Sequence, residues 1–278
     1  MGSGITEVCA RAGLDVTVVE VDATAAERGL TRIERSLATA VSRGKLAEAE
    51  SSQALARIRY ETDLGALADR ELVIEAITED ERAKVETFRM LDKVVESESA
   101  IFASNTSSIP IMKLATVTSR PEQVIGLHFF NPVPVLRLVE LVTSLMTSDV
   151  TIDKAIRFAT ETLDKRVIRS QDRAGFIVNA LLIPYLLSSI RMLESGFATR
   201  DDIDAGMIEG CAHPMGPLAL SDLIGLDTMK AVAESLYDEF KEPLYAPPPL
   251  LLRMVEAGLL GRKTGRGFYE YPSKAGRA

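Results

Sequence analysis

The chain has no tryptophan, only two cysteines and only two histidines in 278 residues. Two cysteines, Cys9 and Cys211, make neither a disulfide framework nor a zinc ligand set, so no metal is expected and a reducing cytoplasm is the expected setting. Positive charge is also short: 32 Lys and Arg stand against 40 Asp and Glu, for a formal net charge of −8. That argues against general binding along a nucleic-acid backbone, which needs a basic face. The N-terminus shows no basic segment followed by an apolar run, so no signal peptide is visible. The longest uncharged stretch, Ala174 to Ile190, contains Asn179, Pro184, Ser188 and Ser189. It is shorter than a comfortable membrane span and reads as a buried helix, with a subunit interface as the further option.

What is present is an alternation. Ile5, Val8, Cys9 and Ala12 fall at helical spacing, with Gly13 as a C-terminal stop. Val16 to Val21 reads as a strand, and Asp22 as the N-cap of a helix whose face carries Leu30, Ile33 and Leu37. ELVIEAI, AIFASN, QVIGLHFF and LVELV read as later strands, several with helices between them. This order predicts an α/β domain with a parallel, doubly wound, Rossmann-like sheet. Near Ser170 to Arg173 strand signals stop and long helical segments take over. The expected domains are therefore residues 1–172, a dinucleotide-binding half, and residues 173–278, an all-helical half for substrate binding and dimerisation.

The opening MGSG reads as the tail of a G-x-G-x-x-G turn, with Gly2 as its third glycine at the start of a helix. Backbone N–H groups there can meet a pyrophosphate. The strand before the turn and its first two glycines are absent from the sequence. Glu20 lies near the end of the next strand, 18 residues after Gly2, where a carboxylate accepts hydrogen bonds from an adenosine ribose. Such a carboxylate repels a 2′-phosphate, so the expected cofactor is NAD rather than NADP. A helix cap at Gly2 and a solvated strand-end acid at Glu20 are the ordinary alternatives.

Six further segments carry a resemblance: IEAITE (Ile74 to Glu79), ASNTSS (Ala103 to Ser108), LHFFNPVP (Leu127 to Pro134), GFIVN (Gly175 to Asn179), PMGPLALSDLIGLDT (Pro214 to Thr228) and KTGRGFY from Lys263. In this order the chain resembles the L-3-hydroxyacyl-CoA dehydrogenase family, in particular its short 3-hydroxybutyryl-CoA type. The family's phosphate turn commonly places a methionine before its third glycine. Met1 is accordingly expected to be an internal methionine, with upstream DNA encoding an apolar strand and G-x-G-x.

The resemblance implies oxidation of a (3S)-3-hydroxyacyl-CoA by NAD, in fatty-acid, butanoate or polyester-precursor metabolism. A histidine suits the proton transfer because it titrates near neutral pH. His128 matches the family's base, and Glu140, 12 residues on, matches its carboxylate partner. Ser107 matches the serine that meets the reacting oxygen near the nicotinamide, and Asn179 the asparagine that helps hold the acyl-CoA. Asn131, the pair Glu79 and Lys84, and Lys263 match cofactor contacts. Ser36, Arg43 and Lys45 lie where the family binds the coenzyme A nucleotide. Turn, cap and helix-end charge roles are the alternatives for these residues. His213 reads as structural. Ala174 and Ala180 depart from the family's proline and arginine, which bears on packing more than on chemistry. A gulonate dehydrogenase relative is the rival enzyme, and an inactive remnant with an interaction role the rival of another class. A homodimer through the helical half is expected.

Overall fold

Apolar spacing and caps set the first elements. In the computed structural model, which describes residues 1–272, α1 (Gly2–Arg11) buries Ile5, Cys9 and Ala10. Gly13 ends this segment at φ +89°, a backbone conformation that glycine adopts without steric cost. β1 (Val16–Val19) leads to α2 (Ala23–Ser42), and the Asp22 carboxylate caps it by accepting the Ala25 N–H at 2.7 Å. Ile33 and Leu37 are buried on α2, whereas Leu30, expected on the same face, is only half-buried beside the buried Gly29.

The chain divides into two compact units, Met1–Arg173 and the residues from Ala174 onward. The first continues with α3 (Glu48–Ala56), β2 (Ile58–Glu61), β3 (Leu72–Glu75), α4 (Glu81–Val94), β4 (Ile101–Ser104) and α5 (Ile111–Ala115). It closes with β5 (Val124–Phe129), β6 (Leu138–Thr143), α6 (Asp149–Arg157) and β7 (Arg166–Gln171). β1 and β2 pair in parallel, and β3-β4-β5-β6-β7 form a five-stranded sheet in that order. Among the described residues no strand pairs with both β1 and β3. β4 and β5 are buried along their whole length, whereas β1 is only half-buried.

One pairing departs from the parallel pattern that the alternation predicts. β5 and β6 are antiparallel, while β3-β4, β4-β5 and β6-β7 are parallel. Residues 130–137 join β5 to β6 without a helix, and a link that short cannot make the crossover that parallel neighbours need. β2 and β7, with the sequences IRYE and RVIRSQ, are strands that apolar runs do not reveal. Each pairs on one side only, so alternate residues can stay polar.

The second unit is helical: α7 (Val178–Glu194), α8 (Arg200–Cys211), α9 (Pro217–Ile224), α10 (Leu226–Phe240) and α11 (Pro249–Glu256). Leu186, Leu187, Ile190, Leu218, Met229, Leu236 and Leu251 make its core. The uncharged stretch is thus a helix with one wet side, since Leu181 stays 73% exposed and Ile190 is fully buried. The glycine-rich tail folds around Asp222, whose carboxylate accepts the Phe268 and Tyr269 N–H groups and the Tyr271 hydroxyl, each at 2.9 Å. A Cβ on Gly267 would sit 1.9 Å from that carboxylate, so only glycine fits there. No helix among the described residues is long and apolar enough to cross a membrane.

Candidate active site

The antiparallel return of β6 onto β5 creates the central pair. His128 and Glu140 are register partners, so both side chains project to the same face. The His128 Nδ1 lies 2.8 Å from Glu140 Oε2. Glu140 is fully buried and His128 is 7% exposed, so the contact is shielded from water. Phe130 packs against the imidazole at 4.7 Å between ring centroids. A carboxylate at Nδ1 fixes the ring's orientation and favours the tautomer with the proton on that nitrogen.

Ser107 lies in the turn after β4, and Glu79 organises that turn. One Glu79 oxygen accepts the Ser107 N–H at 2.8 Å, the Thr106 hydroxyl at 2.5 Å and the Ser108 N–H at 3.2 Å. Beneath it, the Lys84 ammonium donates to Glu75 at 2.7 Å and lies 3.3 Å from Glu79. Lys84 is 1% exposed. Of the pair expected from sequence, Glu79 is therefore the member open to a ligand, and Lys84 holds it in place. Burial pushes the Glu79 carboxyl up, but Lys84 and the bonds from Thr106 and Ser107 outweigh it and hold it below the ordinary glutamate value.

Glu75, Ser104, Asn105 and Thr106 belong to this network and were not singled out from sequence. Glu75 accepts from Lys84, from the Ser104 hydroxyl at 2.6 Å and from the Ile77 N–H at 2.7 Å. Asn105 accepts the Phe129 N–H at 2.8 Å and so ties the serine turn to the histidine strand. The one signal was an acid, Glu75, in an otherwise apolar strand.

The remaining expected residues of the first unit follow or adjoin the carboxyl ends of β1, β3 and β5, or lie on α2 or just beyond it. Asn131 is exposed in the β5–β6 turn and precedes Pro132 through a cis peptide bond. Gly2 opens α1, whose N-terminus has no side-chain cap and no acid in its first turn. A Cβ on Gly2 would lie 3.9 Å from Ala76, just past β3. Glu20 follows β1 directly, half-buried, with its N–H on the Glu61 carbonyl at 3.0 Å. An uncapped helix start and an acid at the end of the next strand fit the pyrophosphate and ribose of NAD. On α2, the half-buried Ser36 lies near Glu7 of α1, a carboxyl that burial pushes up. Arg43 and Lys45 are the exposed members of that trio.

In the second unit Asn179 sits half-buried in the first turn of α7, and Lys263 is paired with Asp227. His213 bonds to the Tyr185 hydroxyl at 3.2 Å. Ala174 has the N–H that a proline lacks and donates it to Glu239 at 3.0 Å. The departure from the family's proline is thus matched by a hydrogen bond within this unit.

Comparison with known proteins agrees with this geometry. Residues 1–173 match the NAD binding domain of 3-hydroxyacyl-CoA dehydrogenase, and residues 175–271 its C-terminal domain. The chain is 58% identical over 271 residues to a 3-hydroxybutyryl-CoA dehydrogenase of Mycobacterium tuberculosis, covering 98% of this chain and 95% of that one. The human mitochondrial hydroxyacyl-coenzyme A dehydrogenase is 40% identical over 279 residues, covering 98% of this chain and 88% of its own length. The crystal structure of M. tuberculosis FadB2 superposes with a TM-score of 0.96 at 58% identity, covering 98% of this chain and 95% of that one. That of (S)-3-hydroxybutyryl-CoA dehydrogenase from Ralstonia eutropha superposes with a TM-score of 0.92 at 47% identity, covering 98% and 96%. A buried His–Glu pair on the sheet, an uncapped helix start, and family matches over both units together place this chain in the 3-hydroxyacyl-CoA dehydrogenase family.

Proposed function

We propose that this chain oxidises (3S)-3-hydroxyacyl-CoA, with 3-hydroxybutyryl-CoA as its main substrate, to the 3-oxoacyl-CoA. The observation that carries the reading is the buried 2.8 Å contact between His128 and Glu140. His128 Nε2 takes the proton of the substrate 3-hydroxyl, and Glu140 stabilises the imidazolium that results. Bound NAD supplies the acceptor for the hydride that leaves C3. Ser107 donates a hydrogen bond to the reacting oxygen, and Asn179 holds the acyl-CoA.

The cofactor's pyrophosphate belongs at Gly2 and its ribose at Glu20, with Glu79, Asn131, Ser107 and Lys263 as further contacts and Lys84 acting beneath Glu79. Arg43 and Lys45, with Ser36 behind them, are the phosphate contacts for coenzyme A. Cys9 and Cys211 are both free thiols, which suits a cytoplasmic setting. The exposed Ile177, Leu181, Met192 and Phe197 along and beside α7 support a homodimer through the helical unit.

A substrate panel tests the reading. (S)-3-hydroxybutyryl-CoA with NAD should turn over faster than the same substrate with NADP, and faster than free 3-hydroxybutyrate or a sugar acid. Preference for NADP, or turnover of free hydroxy acids alone, would overturn it.

A further inference from the structure

Lys165 is a buried cation to which the chemistry above gives no task. It follows Asp164, whose φ is +49°, and comes just before β7. It is 8% exposed. Among the described residues it forms no salt bridge. Its ammonium donates instead to two main-chain carbonyls, Val133 O at 2.6 Å and Leu136 O at 2.8 Å. Burial, with Arg11 and Arg137 adding to it, pulls its pKa below the usual lysine range. A buried ammonium is costly where an apolar side chain of equal length is not. Here it supplies two charge-assisted hydrogen bonds to the backbone of a single turn.

That turn is residues 130–137, the link from His128 on β5 to Glu140 on β6. Its middle is closed by the Val135 and Leu136 N–H groups on the Pro132 carbonyl, at 3.0 and 2.9 Å. Its far end is gripped by the segment that holds Lys165. Arg137 donates to the Asp164 carboxylate at 2.7 Å, and the Arg166 N–H donates to the Arg137 carbonyl at 2.8 Å. From the other side, Val133 packs on α1 so closely that a Cβ on Gly4 would lie 3.0 Å from the Val133 Cβ. Val133 is thus held by its carbonyl and by its side chain, two residues after the exposed Asn131.

We propose that Lys165 is a positioning residue: it clamps the β5–β6 turn so that Asn131 is held in place for the nicotinamide end of the cofactor. The proposal rests on the reading of Asn131 as a cofactor contact.

The test compares NADH with ADP-ribose, which lacks the nicotinamide, by calorimetry on the full chain. Lys165→Met should weaken NADH roughly tenfold and leave ADP-ribose within about twofold, while kcat falls on the order of 10- to 100-fold, the loss typical of a small misplacement at a reacting centre. The pH profile of kcat and the KM for acyl-CoA should not move, because neither the His128–Glu140 pair nor the CoA residues are touched. Equal weakening of both ligands would mark a general structural role and overturn the proposal, as would unchanged NADH binding. If Lys165→Met does not fold, Lys165→Gln keeps one donor and meets the same criteria. Asn131→Ala separates the two readings. If it leaves NADH binding intact, the cofactor role of Asn131 fails. If it weakens NADH while Lys165→Met does not, the role of Lys165 fails.

Discussion

Replacing each member of the His128–Glu140 pair, alone and together, gives the sharpest test of the mechanism. Glutamine is the right substitute at both positions, because its amide keeps a hydrogen bond across the 2.8 Å contact. Alanine at 128 would strip the fully buried Glu140 carboxylate of this partner and mix a folding defect with a chemical one. Loss of the general base should lower kcat by about 10²–10⁴-fold in His128→Gln. In Glu140→Gln the base remains, but its positive form loses a charge-assisted bond of about 2 kcal/mol, or about 30-fold in kcat. Glu140 acts only through His128. The double variant should therefore be no slower than His128→Gln, within about threefold. Turnover is read from NADH formation with (S)-3-hydroxybutyryl-CoA, and NADH binding by titration, which should stay near the starting value in all three. Multiplicative losses in the double variant, or more than about a tenth of the rate left in His128→Gln, would refute the assignment.

Three other outcomes follow from single features. Gly126→Ala should cost about 1–3 kcal/mol and lower Tm by about 5 °C; the added Cβ would stand 2.7 Å from the Val142 Cβ, so a Tm at or above the starting value contradicts the packing. The depressed Glu79 carboxyl contributes stability above the ordinary value of 4.5, and that stability is lost as pH falls through its lower folded value. Tm should accordingly fall more steeply below about pH 4.5 in the original protein than in Glu79→Gln, and parallel curves would count against the network. Light scattering at micromolar concentration should show a dimer, and Leu181→Glu should shift it toward monomer, since Leu181 is 73% exposed on α7.

Local sequence determined a large part of this protein. The cap at Asp22, the stop at Gly13 and the apolar spacing of α1 and α2 are set by neighbours within a turn or two, and the structure has them where the pattern puts them. The motif around His128 carried the family resemblance, and a histidine, which titrates near neutral pH, suits the proton transfer that the resemblance implies. What spacing and propensity could not determine is who meets whom across distance; the resemblance paired Glu140 with His128, and the structure gives the reason. Glu140 reaches His128 only because residues 130–137 are too few for a crossover and turn β6 back antiparallel. Glu79 and Lys84 matched a pair of cofactor contacts, yet the fold buries Lys84 between Glu79 and Glu75. Ser36 was matched to the coenzyme A nucleotide site together with Arg43 and Lys45, yet the fold leaves it half-buried beside Glu7 of α1. Asp222 finds the tail 46 and 47 residues later through a gap that only glycine leaves open. Spacing and propensity act over a few residues, whereas a buried polar group takes whichever partner the register and packing of distant segments bring within about 3 Å.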